Sequence, residues 1–223
     1  MKHLILGDIH GHDSWKKHIE SQDPDKIVFI GDYFDHPEVT AETQLENFKN
    51  IIELKKSRPG VTLLTGNHDA HYMGIGQMYS GYQFGASPHI QQVLSENKEH
   101  LQWCHSIEGY LLTHAGVTKT WCQNHEVNID EVVDSINGLD VGRFAFAGID
   151  RYGDSVVSGP IWVRPDSLRK DKIDGWKQIA GHTRQPFLNI EDPDILLIDT
   201  LAQGQALLLE VNDGEVNRSI SQI

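Results

Sequence analysis

Early in the chain, three short apolar runs each end in glycine followed at once by a carboxylate or amide side chain. Gly7-Asp8-Ile9-His10 closes the run His3–Ile9, Gly31-Asp32-Tyr33-Phe34-Asp35 closes Lys26–Tyr33, and Gly66-Asn67-His68-Asp69 closes Val61–Asn67. Each run has the length and content of a buried strand. Between the second and third, Thr40–Arg58 places Leu45, Phe48, Ile51 and Ile52 at helical spacing, with Lys55, Lys56 and Arg58 at the end a helix dipole favours. Pro59-Gly60 stops that helix, Trp15–Glu20 begins a shorter one, and Pro88–His100 predicts a third. Strands alternating with helices pair in parallel, so all three polar ends fall on one sheet edge, where open α/β folds bind ligands.

The residue types at that edge point to a cation. In Asp8-x-His10 the two side chains share a face, because strand side chains alternate with period two. Glycine before each polar residue allows a tight turn and leaves room beside it. Two later runs, Leu111–Gly116 and Ile179–Thr183, each carry an apolar strand into a single histidine, His114 and His182. With Asp8, His10, Asp32 and Asn67 these make a set of six oxygen and nitrogen donors without sulfur. Such a set suits Mn²⁺, Fe or Zn²⁺, and it is too large for one ion that must keep open positions. Two ions sharing a carboxylate fit it.

The remaining strands, Tyr110–His114, Gln178–His182, Ile195–Asp199 and Ala206–Val211, follow without clear helices, so a second and more antiparallel sheet is expected. No Pro/Gly/Ser linker divides the chain, and the loop-like stretch Thr118–Arg169 reads as an elaboration of one domain covering 1–223. Lys plus Arg number 19 against 32 Asp plus Glu, a formal charge of −13 with no basic run, so duplex nucleic acid is not an expected partner. No apolar run is long enough to span a bilayer, and the start of the chain lacks a signal-peptide pattern. Cys104 and Cys122 form no C-x-x-C pair and read as reduced thiols. A cytoplasmic location is expected.

The ordered series Gly-Asp-x-His, Gly-Asp-x-x-Asp, Gly-Asn-His-Asp, His-Ala-Gly and Gly-His-Thr resembles the calcineurin-like metallophosphoesterases. Within them it is most similar to the compact bacterial and phage members of the phosphoprotein phosphatase group. The resemblance implies an α/β fold of two mixed β-sheets packed as a sandwich and flanked by helices. It also implies that Asp8, His10 and Asp32 hold one metal, and that Asp32 bridges to a second held by Asn67, His114 and His182. His68 matches the proton donor, Asp35 the carboxylate that orients it, and Arg164, in Ile161-Trp162-Val163-Arg164-Pro165, the residue that binds the substrate phosphate. After Gly181-His182-Thr183 the chain lacks the second histidine, two residues on, that phosphodiesterase and nuclease branches use. Asp35 is followed by His36-Pro37 where the family continues Arg-Gly, so His36 is expected to replace a phosphate-clamping arginine, most effectively when protonated.

This resemblance implies two divalent ions, with Mn²⁺ foremost and Fe or Zn²⁺ as alternatives, and hydrolysis of phosphomonoesters by a hydroxide shared between the ions. Phosphoserine or phosphothreonine protein is the favoured substrate. The alternatives are a nucleotide or diadenosine polyphosphate hydrolase using the same residues and, in another class, a non-catalytic metal-binding interaction module. Asp69 and His71 read as loop residues beyond the third motif, Trp162 as packing beneath the site, and Asp199-Thr200 as structural.

Overall fold

The computed structural model describes residues 1–147 and 154–223. Its first sheet contains β1 (Lys2–Leu6), β2 (Lys26–Phe29), β3 (Val61–Leu64) and the short β4 (Leu101–Gln102), all parallel. The second sheet has β5 (Cys104–Ile107), β6 (Tyr110–Thr113), β7 (Lys177–Ala180) and β8 (Ile195–Leu197) in the order β5-β6-β7-β8. Then β9 (Gln205–Asn212) and β10 (Glu215–Gln222) return to the first sheet, β9 pairing antiparallel with β1 and β10 with β9.

That return corrects the expected sheet assignment. The second sheet is antiparallel only between β5 and β6, while β6-β7 and β7-β8 are parallel. The strand Ala206–Val211, expected in the second sheet, lies inside β9 of the first. Its side chains explain why: Ala206 and Leu208 face one core while Leu207 and Leu209 face another, so β9 is apolar on both faces and fills an interior position beside β1. In β1, Leu4 and Leu6 likewise pack on one side and Ile5 on the other.

The two sheets stack as a sandwich. Ile5, Val28, Ile30 and Leu64 of the first meet Tyr110, Leu112, Ile179 and Leu196 of the second. Helices α1 (Trp15–Gln22) and α2 (Ala41–Ser57) cover the outer face of the first sheet, after the one-turn α3 (Asn67–Ala70) follows α4 (Ser87–Glu96), which packs there too. The stretch expected to be loop-like, Thr118–Arg169, includes α5 (Lys119–Asn124), α6 (Val132–Asn137) and the start of α7 (Pro165–Lys170). Residues 148–153 within it lie outside the described residues. Trp121, Cys122, Val132, Ile136 and Phe144 from this stretch close a core over the outer face of the second sheet. Cys104 and Cys122 are free and buried. Among the described residues no helix is long and apolar enough to cross a membrane.

Helix α2 does more than cover the sheet. Thr40 caps it by accepting the Thr43 N–H, matching the expected start, and Phe48, Ile51 and Ile52 carry its apolar face. Two polar side chains are buried on that face. Gln44 donates to the carbonyls of His36 (3.1 Å) and Val39 (2.6 Å) and accepts the His36 N–H (3.2 Å). Asn47 donates to the His12 carbonyl (3.1 Å) and accepts the Trp15 indole N–H (3.0 Å). The loops that follow β1 and β2 are therefore pinned by one helix. Gln44→Leu, close in volume, leaves the His36 and Val39 backbone groups without partners, which costs about 1–3 kcal/mol. Urea unfolding is expected to show a lower midpoint at unchanged slope; a midpoint equal to wild type would contradict this role.

Candidate metal centre and active-site cleft

The loops leaving β1, β2 and β7 carry their key residues in backbone conformations that side chains ordinarily avoid. His10 (φ 41°), Asp32 (φ 52°), Asp35 (φ 71°) and His182 (φ 61°) all lie in the left-handed region. Each such residue costs of order 1 kcal/mol or more and persists only when its surroundings over-determine it. Here the Asp32 carbonyl accepts the N–H groups of Ile9 (3.1 Å) and His10 (2.6 Å), tying the first two loops together. The preceding glycines have a specific purpose: a Cβ on Gly66 would overlap the Asp32 carboxylate, and one on Gly181 would overlap that of Asp8.

This backbone brings the six expected donors together. Asp8, His10 and Asp32 form one group, and Asp32, His114 and His182 another, with Asp32 common to both. The Asn67 Oδ1 lies 2.9 Å from His114 Nε2 and 2.8 Å from His182 Nδ1, and Asp32 Oδ2 lies 3.3 Å from His114 Nε2 and 3.7 Å from His10 Nε2. Each ring spends its other nitrogen on a backbone carbonyl. His10 Nδ1–H donates to Phe34 (2.5 Å), His114 Nδ1–H to Ile30 (3.1 Å) and His182 Nε2–H to Trp162 (3.1 Å). Those bonds fix the ring orientations and aim the other nitrogens at the carboxylate and amide oxygens. Converging lone pairs fit divalent cations in both groups, and mixed oxygen and imidazole donors fit Mn²⁺, Fe or Zn²⁺.

Electrostatics agrees with that fit. Burial, together with the charges of Asp199 and Asp32, pushes the Asp8 carboxyl well above its ordinary range. Burial and Asp32 push Asp69 up to about 7. Burial lowers His114, yet Asp32 and Asp8 outweigh it and raise the ring to about 9. Burial lowers His10 and His182, keeping both rings neutral as ligands must be. The centre is an excess of negative charge held in a place that disfavours it.

Beside these donors stands the pair expected to transfer a proton. His68 Nδ1 donates to Asp35 Oδ2 (2.9 Å), which leaves Nε2 free. Burial lowers the His68 pKa, but Asp32 and Asp35 more than offset it, so the net direction is upward. Asp35 is also held by His71 Nε2 (2.7 Å) and the Tyr72 hydroxyl (2.5 Å). Reading Asp69 and His71 as mere loop residues is therefore corrected. Asp69 is fully buried and accepts three backbone N–H groups at 2.8 Å each, from Asp32, Tyr33 and Gly66. The signal that could have found it is the spacing Gly66-x-x-Asp69, in which an acidic third residue reaches back to the N-cap amide. Nothing local marks His71, whose partner is 36 residues away in Asp35.

An open cleft of about 1130 Å³ lies over the donors, lined also by His12, His36, Tyr79, Phe146, Trp162, Arg164 and Arg184. Arg164 Nη1 donates to the His182 carbonyl and the Thr183 hydroxyl, both at 3.0 Å. His36 faces the cleft, but its Nδ1 accepts the amides of Glu38 (3.0 Å) and Val39 (3.1 Å). Only Nε2–H is left to meet a ligand, and a proton on Nδ1 would break both loop bonds. Trp162 is nearly buried and donates its indole N–H to Phe144 (3.1 Å), while its own carbonyl orients His182. Asp199 borders the cleft, and Thr200 is buried.

Comparison with known proteins gives one family. The sequence profile described as calcineurin-like phosphoesterase matches residues 1–186. No curated protein sequence matches the chain. A cold-active protein-tyrosine phosphatase of a Shewanella species is similar in structure, at TM-score 0.63 and 17% identity, over 99% of this chain and 80% of that one. A protein serine/threonine phosphatase from Saccharomyces cerevisiae aligns at TM-score 0.63 and 16% identity, over 100% and 80%. A metallophosphoesterase from Sphaerobacter thermophilus aligns at 0.56 and 15%, over 100% and 88%. At these identities the likeness establishes the fold.

The buried charges set a pH dependence for chelator-treated protein. His114 rises on folding from 6.5 to about 9, so its stabilising contribution is complete below 6.5 and lost as pH climbs through about 9. Asp69 rises from 3.8 to about 7, so its penalty grows from 3.8 upward and is complete above about 7. Chelated protein is expected to lose roughly 5 °C or more in Tm between pH 7 and pH 9, with added Mn²⁺ restoring it. A flat or rising Tm over that window would contradict the charge balance described.

Proposed function

The chain belongs to the calcineurin-like phosphoesterase family and is a metal-dependent phosphoric ester hydrolase, and we propose that residues 1–223 act as one domain on phosphomonoesters, foremost phosphoserine or phosphothreonine in protein. The observation that carries this reading is the His68–Asp35 pair beside the shared donor Asp32. An alkoxide is a poor leaving group and needs a proton, and the partly buried His68 imidazole, with one nitrogen fixed on a carboxylate, presents the other as an acid.

In this reading Asp8, His10 and Asp32 would hold one ion, and Asp32, Asn67, His114 and His182 a second, with Mn²⁺ the favoured metal and Fe or Zn²⁺ the alternatives. Two ions so held would lower the pKa of a water between them and neutralise phosphate oxygens. Arg164, held by the His182 carbonyl and the Thr183 hydroxyl on the cleft wall, is the cation that would bind the phosphate oxygens. His36, its Nδ1 taken by the Glu38 and Val39 amides, would offer Nε2–H to the phosphate. His68 delivers its Nε2 proton to the leaving oxygen, while Asp35, itself held by His71 and Tyr72, keeps the ring aligned and charged.

One observation favours a second reading. Tyr79, Phe146 and Trp162 form an aromatic wall of the cleft, with ring centroids 4.2 to 5.9 Å apart, and a nucleobase of a nucleotide or diadenosine polyphosphate would stack there. Turnover of phosphopeptides, mononucleotides and dinucleoside polyphosphates with Mn²⁺ separates the two.

The test of the acid is His68→Asn. Turnover of a phosphoserine peptide is expected to fall by about 10²–10⁴-fold, and turnover of p-nitrophenyl phosphate, whose leaving group needs little protonation, by much less. Equal losses on both substrates, with metal content unchanged, would remove His68 from that role.

A further inference from the structure

Arg184 lies two residues beyond His182, exposed on the rim of the same cleft. Arg164 is tied to the His182 carbonyl and the Thr183 hydroxyl, whereas Arg184 forms no hydrogen bond or ion pair among the described residues. Glu38 and Asp199 also line the cleft, and neither closes an ion pair with it. Asp199 nonetheless feels both guanidinium groups, which act against the burial and the Asp32 charge that raise its carboxyl to about 6. His12 stands on the same rim, edge-on to His36 with ring centroids 4.8 Å apart. One guanidinium is therefore fixed beside the metal-ligand cluster while a second faces the cleft with its donors unspent.

Two physical arguments give Arg184 a use. The cleft, at about 1130 Å³, is far larger than a single phosphate group requires, so a substrate extends beyond the group that reacts. The chain carries a formal charge of −13 and repels anionic substrates at long range, so cations inside the cleft must supply local attraction. An unengaged guanidinium binds a carboxylate or a phosphate with two parallel hydrogen bonds.

We propose that Arg184 is a specificity-determining residue that binds a second anionic group, carboxylate or phosphate, carried by the substrate beside the phosphate being cleaved. This assignment rests on the phosphomonoesterase reading above, and the test separates the two. Wild type, Arg184→Ala and Arg184→Lys are compared on p-nitrophenyl phosphate and on two phosphoserine peptides, one flanked by Ala and the other by Asp. AMP and ADP serve as competitive inhibitors, which distinguishes a second phosphate from a carboxylate as the recognised group.

For Arg184→Ala, the KM of the Asp-flanked peptide or the Ki of ADP is expected to rise about tenfold, with kcat unchanged. The other member of each pair, and p-nitrophenyl phosphate, should stay within about twofold, and Lys should restore part of the difference because it keeps the charge without the fork. Calorimetric binding of a phosphonate version of the Asp-flanked peptide should weaken in parallel. Equal loss on every substrate would place Arg184 on the reacting phosphate or in the fold and overturn the proposal; so would no change in either pair. If wild type with Mn²⁺ turns over none of these esters, the functional reading fails, while the calorimetry still decides whether Arg184 recognises the second anion.

Discussion

Asp8, Asp32 and Asp69 are buried together at the edge of a parallel sheet, and the surrounding architecture answers the repulsion that results. Carboxylates taken out of water and set near one another are unfavourable unless charge or hydrogen bonds compensate them. Asp69 is compensated by three backbone N–H groups, and these same bonds lock the turns after β2 and β3 to each other. Asp8 receives the His182 N–H, and Asp32 receives the His68 N–H, at 3.0 and 2.8 Å. What those bonds leave over is a cluster of lone pairs for which divalent cations are the natural complement.

Placing such a cluster is expensive in conformation, and the fold distributes that cost. Four residues of the site stand in the left-handed region, glycine is required where a Cβ would strike a carboxylate, and buried Gln44 and Asn47 hold the loops from the side of α2. The histidine rings are likewise set before any ligand arrives, each by one carbonyl. Preorganisation of this kind lets a site act without rearranging, because donor positions are already those that the bound state needs.

Much of this was legible in the sequence, for a physical reason. A strand ending in glycine and then a polar side chain is a local signal, and parallel packing turns several such ends into neighbours. The donors Asp8, His10, Asp32, Asn67, His114 and His182 are thus legible from sequence, and the structure brings them together. Residues whose role depends on distant partners could not be read. Asp69 shows in sequence only its local reach back to Gly66, not the amides 36 and 37 positions away, and Gln44 looks like an ordinary polar residue until its burial against His36 and Val39 is seen. Strand β10 alternates polar residues at an edge and resembles a tail, and β4 is two residues long. The bonds that occupy His36 Nδ1, from the amides of Glu38 and Val39, are equally invisible in sequence.

The site depends on Asp32 serving two groups of donors at once. The most direct measurement is metal stoichiometry by elemental analysis after equilibration with Mn²⁺, for wild type and Asp32→Asn. A shared carboxylate predicts two ions per chain in wild type and, with one ligand of both groups weakened, affinity for both lowered by tenfold or more, on the scale of at least about 10–100-fold that even outer-shell changes produce. One ion per chain in wild type, or two ions bound as tightly by Asp32→Asn, would contradict it.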